Sequence, residues 1–344
     1  MRTAWQIGKG FIAKPKIKPR SLSQISAADG SAHDTEIFDY LTPTPSHLLD
    51  TLLQDLSDPD PQPHHRENSQ GSSMKIQSPP RTLPQGHHLV YFPLQTPASK
   101  LAPDGADATH LSVALGPTAP SEEENTQRRK RKRLWAGGEI SFSTGWESRL
   151  KLDGRPWLCR EEVARKSRGG VVNVWRRHRL GHEVKSDEER WDIIEKRSLA
   201  FRTEGEGKPI HEHAQIQPSI RHRLLAPTRT HLFHFSALSY NAHAIHYDID
   251  YARNVDHHRS LLVHGPLTLA IMIRHLVAHE KMSLRRIVYR NLAPLYVDNP
   301  IFLCLGPSSR DGDLPRRRHV WLEDPDGYVA VKADAEFERE ALSV

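Results

Sequence analysis

The chain has 344 residues, 37% of them hydrophobic, and a formal net charge of +6, which is enough apolar side chain for one large or two ordinary domains. Cys159 and Cys304 are its two cysteines, too few for a disulfide framework or a cysteine-based metal cluster, so a reducing compartment is favoured. No apolar run reaches about eighteen residues, which excludes a membrane-spanning helix, while the positive charge would suit an acidic partner.

Residues 1–30 predict a mitochondrial transit peptide. Basic residues and serines are spread over residues 1–28, and the first acidic residue is Asp29, a composition typical of such peptides. A basic disordered tail has the same composition, and this alternative stays open. The folded chain is expected to begin near Asp34, and the mature protein to reside in the mitochondrial matrix.

An N-terminal half is predicted over residues 34–205. Thr44-Pro45 opens a helix in which leucines 48, 49, 52, 53 and 56 form one apolar stripe. The strand candidates are HHLVYFP (87–93), LWAGGEISF (134–142), GVVNVWRRH (170–178) and IIEKRSLAF (193–201). Residues 57–86 and 95–133 predict disordered loops, and the second ends in six consecutive bases. The strand-rich segment from Leu134 onward contains no histidine motif and is interpreted as scaffold, and its stretch around Trp157 fits no clear pattern.

A C-terminal half is predicted over residues 206–344, starting with an exposed linker of about 25 residues. Residues 266–277 form a helix that is apolar on almost every side, so other structure must surround it. The strand candidates are RRIVYRN (285–291), PIFLCLG (300–306), RHVWLED (318–324) and YVAVKADAEFE (328–338). The DPDG sequence at 324–327 predicts the turn between the last two strands.

Polar residues are concentrated just before this helix. Ser239, Tyr240, Asn241, His243 and His246 lie within eight residues, and His246 has a titration range suited to proton transfer near neutral pH. The first N–H groups of a helix have no partner inside it and carry a partial positive charge, so they could hold a carbonyl that becomes an oxyanion. Gly265, which Pro266 follows at the helix start, is the candidate donor.

The string SYNAHAIHYDIDYA (239–252), followed by LVHGPL (262–267), resembles the MaoC-like hydratases and dehydratases. Their motif reads roughly Gly-Asp-x-Asn-Pro-x-His and precedes a His-Gly pair. Its final His falls on His246 and its catalytic Asp on Asn241, so an amide stands where the family has an acid. The match is closer to fungal mitochondrial 3-hydroxyacyl-thioester dehydratases type 2 and to mesaconyl-C4-CoA hydratases, and it spans roughly residues 38–336.

The resemblance implies an α+β fold, a double hotdog: two units, each an antiparallel sheet wrapped around a central helix, with a degenerate N-terminal unit. It implies dehydration or hydration of acyl thioesters, with His246 as acid/base and Asn241 holding the hydroxyl or water. The substrate-binding and oxyanion side would consist of Gly265, His264, Val263, Ser239 and Tyr240. The family needs neither a metal nor another cofactor.

Plainer roles stay open for several of these residues. His246 could be a satisfied histidine at the edge of the core, Asn241 could cap a turn, and His264 could be a structural hydrogen-bonding residue. The pairs His243 with His246 and His257 with His258 could be metal ligands, but no Cys or carboxylate falls at ligand spacing in that segment.

Three functions remain. The preferred one is a (3R)-hydroxyacyl-[acyl carrier protein] dehydratase of mitochondrial fatty-acid synthesis, and the second is a mesaconyl-C4-CoA or related short dicarboxylyl-CoA hydratase. The third is a catalytically silent protein that binds acyl thioesters. An acyl carrier protein or a CoA thioester is the expected partner, with neither nucleic acid nor membrane, and pairing of two chains as a homodimer stays open. A short pocket with a nearby Arg would favour the dicarboxylate, and an open tunnel with a basic rim the carrier protein.

Overall fold

A computed structural model of the chain describes residues 33–57, 82–107, 110, 113, 132–165, 171–180, 191–202, 210–309 and 316–338. The predicted transit peptide, most of the two predicted loops and the basic run up to Arg131 lie outside the described residues. The near ends of those loops, 82–86 and 95–107, are within them.

The longer regular elements of the described residues are four α-helices and ten strands, and short 3-10 helices and one π-helix, Tyr251–Val255, lie between them. The helices are α1 (Pro43–Ser57), α2 (Trp146–Arg149), α3 (Arg229–Ser239) and α4 (Gly265–Glu280). The strands are β1 (His33–Tyr40), β2 (Lys132–Phe142), β3 (Pro156–Arg165), β4 (Val171–Leu180), β5 (Ile193–Arg202), β6 (Ile220–Leu224), β7 (Leu284–Asn291), β8 (Ile301–Ser309), β9 (Arg317–Glu323) and β10 (Val329–Phe337).

Within the described part of the chain, all ten strands belong to one antiparallel sheet in the order β1-β3-β4-β5-β2-β7-β10-β9-β8-β6. The five strands of each half are neighbours in the sheet, and the two sets join in the middle, where β2 pairs with β7. Gly138 of β2 lies at this junction. A Cβ at this position would come within 2.1 Å of the Lys196 carbonyl oxygen and 2.7 Å of the Tyr289 hydroxyl, so the position has no room for a side chain. The predicted double hotdog is confirmed. The boundary between the halves at residues 205 and 206 stays a prediction.

The central helix of the C-terminal half is longer than the predicted range but has the predicted character. Residues 269–273 of α4 are all buried, as are Leu267 and Leu276. Helix α1 buries the predicted leucines at 49, 52, 53 and 56, while Leu48 is 48% exposed and lies outside the stripe. Both helices contribute to one hydrophobic core.

Several elements differ from the prediction. HHLVYFP is not a strand: residues His87–Val90 form a short 3-10 turn, all four buried, with the His87 Nδ1 2.7 Å from the Ser46 Oγ of α1. A short apolar run does not by itself separate a strand from a buried turn. Strands β1, β3 and β6 and helix α3 were not predicted, and the stretch around Trp157 is an interior strand in which Trp157 is fully buried.

The N-terminal half buries charged side chains as compensated pairs. The Nε of Arg176 donates to Glu161 at 2.6 Å, and His110 lies 2.8 Å from the other oxygen of the same carboxylate. Arg197 donates two hydrogen bonds to Glu195, at 2.7 and 2.8 Å. Burial favours a raised pKa for both carboxyl groups, but the adjacent arginines outweigh it and hold each pKa below its ordinary value.

Both cysteines are buried free thiols, and burial raises the pKa of each to about 12. None of the described helices has the length and apolar character needed to cross a membrane.

We expect His178→Leu to weaken the dependence of stability on pH. Neither ring nitrogen of His178 has a hydrogen-bond partner among the described residues, and burial holds its pKa well below 6.5. At pH values between the folded and the unfolded pKa of His178, the unfolded chain binds one proton more than the folded chain. The contribution of His178 to the free energy of unfolding is therefore complete above about pH 6.5, and it falls by up to ~1.4 kcal/mol for each pH unit below that value. Urea unfolding at about pH 7 and about pH 5 measures the change.

His319→Gln provides a control of opposite sign. The hydrogen bond to Asp334 raises the pKa of His319, so its contribution is complete below the unfolded pKa and is lost as the pH rises through the folded one. A wild-type pH dependence in the His178→Leu variant would contradict the burial of an uncharged imidazole at this position.

Candidate active site

A cavity of about 1150 Å³ is lined by residues from both halves. Six of the seven residues predicted as catalytic or substrate-binding line it: Ser239, Tyr240, Asn241, His246, Val263 and Gly265. His264, the seventh, is fully buried behind the cavity wall. Six of the predicted residues therefore share one cavity, and their catalytic and binding roles stay predictions. The residues that the N-terminal half contributes to this cavity were not predicted.

His246 is held as a neutral imidazole in one tautomer. It lies in a short 3-10 turn, Ala244–His246, and its Nδ1 donates to the Leu262 carbonyl oxygen at 2.8 Å. Because a carbonyl only accepts, the proton is on Nδ1 and Nε2 carries the free electron pair. Burial, with the nearby rings of His264 and His243, lowers the pKa of His246 well below 6.5. The geometry gives a base that is unprotonated at neutral pH.

His264 supports this ring from behind. The two imidazoles stack with centroids 3.6 Å apart and an angle of 21° between the planes. The Nε2 of His264 is 2.8 Å from the Ser236 Oγ of α3, and burial lowers the pKa of His264 to about 3. Two stacked rings cannot both carry charge at low cost, so each favours the neutral form of the other.

The first turn of α4 begins beside the stacked pair. His264 is the N-cap, Gly265 opens the helix, and the Thr268 N–H donates to the His264 carbonyl at 3.1 Å. No group in the described residues accepts a hydrogen bond from the Gly265 N–H. A Cβ on Gly265 would lie 3.2 Å from the Asn291 Nδ2. An oxyanion at this point would meet an unpaired backbone donor and the positive end of the helix.

Asn241 caps a turn, which is one of the roles considered from the sequence, and its predicted contact with substrate stays a prediction. Its Oδ1 accepts from the His243 N–H at 3.1 Å and so caps the turn, while the residue also lines the cavity. Ser239 donates its hydroxyl hydrogen to the Phe235 carbonyl at 2.7 Å. Tyr240 ends α3 in the left-handed region with φ 51° and is mostly exposed.

Asp104 was not predicted and belongs to the N-terminal half. Its Oδ2 lies 3.3 Å from the Nε2 of His243, and its own carbonyl accepts from the Ala244 N–H at 2.7 Å. Gly105 follows with φ +74°, and a Cβ there would lie 1.9 Å from the Ala242 carbonyl oxygen. The loop of the N-terminal half around Asp104 and Gly105 is therefore in direct backbone contact with residues 241–246, here called the motif turn.

Arginines form much of the polar surface of the cavity. Arg133, Arg176, Arg197 and Arg290 all line it. Arg176 and Arg197 are paired with buried carboxylates, and Arg197 also lies over the Trp135 ring at 5.1 Å. The interpretation of the N-terminal half as scaffold was therefore incomplete. Among the described residues, no three His, Cys, Asp or Glu side chains are grouped as metal ligands.

The sequence model of the hydroxyacyl-thioester dehydratase type 2 family matches residues 86–297. The chain belongs to this family. The resemblance predicted from the sequence is confirmed. The protein is thus a hydro-lyase of the class that hydrates or dehydrates acyl thioesters.

Two curated relatives of this type 2 dehydratase chain carry names with a stated activity. The mesaconyl-C(4)-CoA hydratase of Chloroflexus aurantiacus is 27% identical over 261 residues, 74% of this chain and 84% of that protein. The mitochondrial hydroxyacyl-thioester dehydratase type 2 of Schizosaccharomyces pombe is 23% identical over 276 residues, 72% of this chain and 85% of that protein.

Among solved structures, a MaoC-like dehydratase from Phytophthora capsici superposes with a TM-score of 0.58 at 10% identity, over 91% of this chain and 97% of that chain. At this identity the similarity is one of fold, and it agrees with the double hotdog described above.

We expect Gly105→Ala to destabilise the protein by at least ~2 kcal/mol more than Gly154→Ala, because a buried backbone collision forces the chain to move. Gly154 is matched in conformation, with φ +79°, but a Cβ there meets nothing within 4 Å. Urea unfolding of both variants measures the difference. Equal losses would contradict the close contact between the loop of the N-terminal half and the motif turn.

Proposed function

We propose that this chain catalyses the reversible dehydration of (3R)-hydroxyacyl thioesters, with the acyl carrier protein of mitochondrial fatty-acid synthesis as its preferred carrier. The proposed reaction rests on one observation: a neutral His246, with its proton on Nδ1 and its Nε2 free, and the unpaired N–H of Gly265 belong to residues that line the same large cavity. These two groups are what α-proton removal from a thioester requires, a base and a donor to the developing oxyanion.

In the proposed mechanism the thioester carbonyl lies against the start of α4. The Nε2 of His246 takes the α-proton while the Gly265 N–H, whose worth as an oxyanion donor is on the order of 3 kcal/mol, holds the enolate oxygen. The electron pair of the C–H bond then forms the double bond as the C–O bond breaks, and a protonated imidazole of the cavity wall gives its proton to the departing oxygen, which leaves as water. Asn241 holds that hydroxyl, or the attacking water in the reverse direction, through its amide group.

The carrier and the compartment rest on relatives and on composition. The relative from Schizosaccharomyces pombe is mitochondrial by name, and residues 1–28 have the basic, serine-containing composition of a transit peptide. A net charge of +6 would favour an acidic carrier protein. We therefore place the enzyme in the mitochondrial matrix.

A second candidate is the hydration of a short dicarboxylyl-CoA such as mesaconyl-C4-CoA. The observation that favours it is the presence of Arg133 and Arg290 on the cavity, in addition to the carboxylate-paired Arg176 and Arg197, because a guanidinium group can bind a carboxylate through two parallel hydrogen bonds. The relative from Chloroflexus aurantiacus carries this activity in its name.

His246→Gln should lower kcat/KM for the hydration of crotonyl-CoA by roughly 10²–10⁴, because the base is removed while the shape of the side chain is largely kept. His275→Gln is the matched control. His275 is also a histidine with a lowered pKa whose Nδ1 donates to a backbone carbonyl, that of Ile271 at 2.9 Å, but it does not line the cavity. A His246→Gln rate within a few-fold of wild type would remove this residue from the mechanism.

The carrier is tested with a substrate panel on the wild-type protein. We expect faster hydration of a medium-chain enoyl thioester on acyl carrier protein than of the same acyl group on CoA, because the carrier adds an acidic surface. Preference for mesaconyl-C4-CoA over crotonyl-CoA would select the second candidate. No hydration of any member of the panel would select the remaining function, a silent thioester-binding protein.

A further inference from the structure

The cavity wall contains a second imidazole, that of His243, backed by a carboxylate from the other half of the chain. His243 lines the cavity and is 3% exposed, and its Nε2 is 3.3 Å from the Asp104 Oδ2. Asp104 does not line the cavity. The imidazole of this pair therefore lines the cavity, and the carboxylate that contacts it does not.

The loop that carries Asp104 is shaped to hold this side chain. The Ala106 N–H donates to the Asp104 Oδ1 at 3.0 Å, which leaves Oδ2 for His243. The backbone of the loop bonds to the motif turn at Ala244, and Gly105 approaches that turn more closely than a side chain would allow. The pair is thus fixed by backbone contacts on both sides.

The reaction needs a proton donor that Asn241 cannot be. A hydroxide ion is a poor leaving group, so the β-hydroxyl must be protonated as it departs, and an amide does not transfer protons at neutral pH. The ring of His243 stands edge-on to that of His246, with centroids 5.8 Å apart, a separation that would allow two groups to act on neighbouring carbon atoms of one substrate.

We propose that His243 is the second acid/base of this enzyme and that Asp104 is its positioning residue, an inference that rests on the proposed function. His246 takes the α-proton, and the electron pair of that C–H bond forms the double bond as the C–O bond breaks. Protonated His243 gives its proton to the departing oxygen, so water leaves. Transfer of one proton from His246 to His243, directly or through solvent, resets the enzyme, and hydration follows the same steps in reverse.

The charges around His243 are consistent with this role. Burial alone would raise the pKa of Asp104, but the hydrogen bond and the charge of His243 outweigh burial and lower it, so the carboxylate is ionised. The other ionisable groups that interact with the pair include Arg133, which also interacts with Asp107, Tyr251, which interacts with Asp104, and the neutral rings of His246 and His264.

A leaving group that needs no proton separates this role from a structural one. (3R)-3-Chlorobutyryl-CoA loses chloride with the electron pair of its C–Cl bond, so its elimination requires the base but no acid. We expect His243→Gln to lower the rate of dehydration of (3R)-3-hydroxybutyryl-CoA by about 10²-fold or more and to leave chloride elimination within a few-fold of wild type. His246→Gln should lose both reactions.

Asp104→Asn should reduce dehydration less than His243→Gln but with the same selectivity for the hydroxyl substrate. Asp55→Asn is the matched control: Asp55 lies 2.8 Å from His231, joins α1 to α3 and is off the cavity, so it should change the ratio of the two rates little. Asp104→Asn also carries the test if His243→Gln does not fold.

Two results in a folded His243→Gln or Asp104→Asn variant would overturn the proposal. Either the loss of water and the loss of chloride are slowed equally, or neither reaction is slowed. The proposed function is judged separately. It fails if the wild-type protein processes neither the hydroxyl substrate nor any enoyl thioester, and it stands if wild type is active and His246→Gln is not, whatever His243→Gln does.

Discussion

Strands from the two halves of the chain become one sheet because β2 and β7 pair across the middle, and this pairing decides which loops can meet. The junction is close: Gly138 has no room for a side chain beside Lys196 and Tyr289. A side chain at this junction also lies at the start of α4. The Nδ2 of Asn291, at the end of β7, donates to the Trp135 carbonyl of β2 at 2.7 Å and lies close to Gly265. A slip of one residue would turn every side chain of β7 to the opposite face of the sheet and separate these groups. The cavity is therefore a consequence of strand register.

Burial controls the chemistry of the histidines that this register gathers. An imidazole removed from water resists charging, and desolvation is the largest cause of the lowered pKa of both His246 and His264. Stacking the two rings adds to the effect, because a proton on either one would repel a proton on the other. His243 differs from them by its contact with the carboxylate of Asp104. Neighbouring rings in one wall thus have distinct electrostatic surroundings, and an acid and a base acting in one step require such a difference.

The sequence predicted the parts of this arrangement that are local. Helix α4 was predictable because apolar residues surround it on every side, and the start of the helix because Gly265-Pro266 suits a helix N-terminus. Strand β3 was not predicted because Glu161 and Glu162 occupy buried positions in it, and these charged residues interrupt the apolar pattern of an interior strand. Short β6 has three consecutive polar residues, Arg221, His222 and Arg223, between one apolar residue at each end, so it lacks the alternation of a strand and resembles a loop in composition. Asp104 could not be found in this way, because it lies in a loop of the other half and no local pattern records which distant turn that loop will contact.

The N-terminal half does more than support the C-terminal one. A buried charge without a partner would cost several kcal/mol, and here Arg176 and Arg197 each have a carboxylate of their own half while they line the cavity. Their charge is thus stabilised before any substrate binds, and a ligand would not have to supply the compensation. The half without the histidine motif contributes arginines to the cavity and supplies the carboxylate beside His243. Its strands β4 and β5 carry Arg176 and Arg197, so the sheet fixes these two side chains in place.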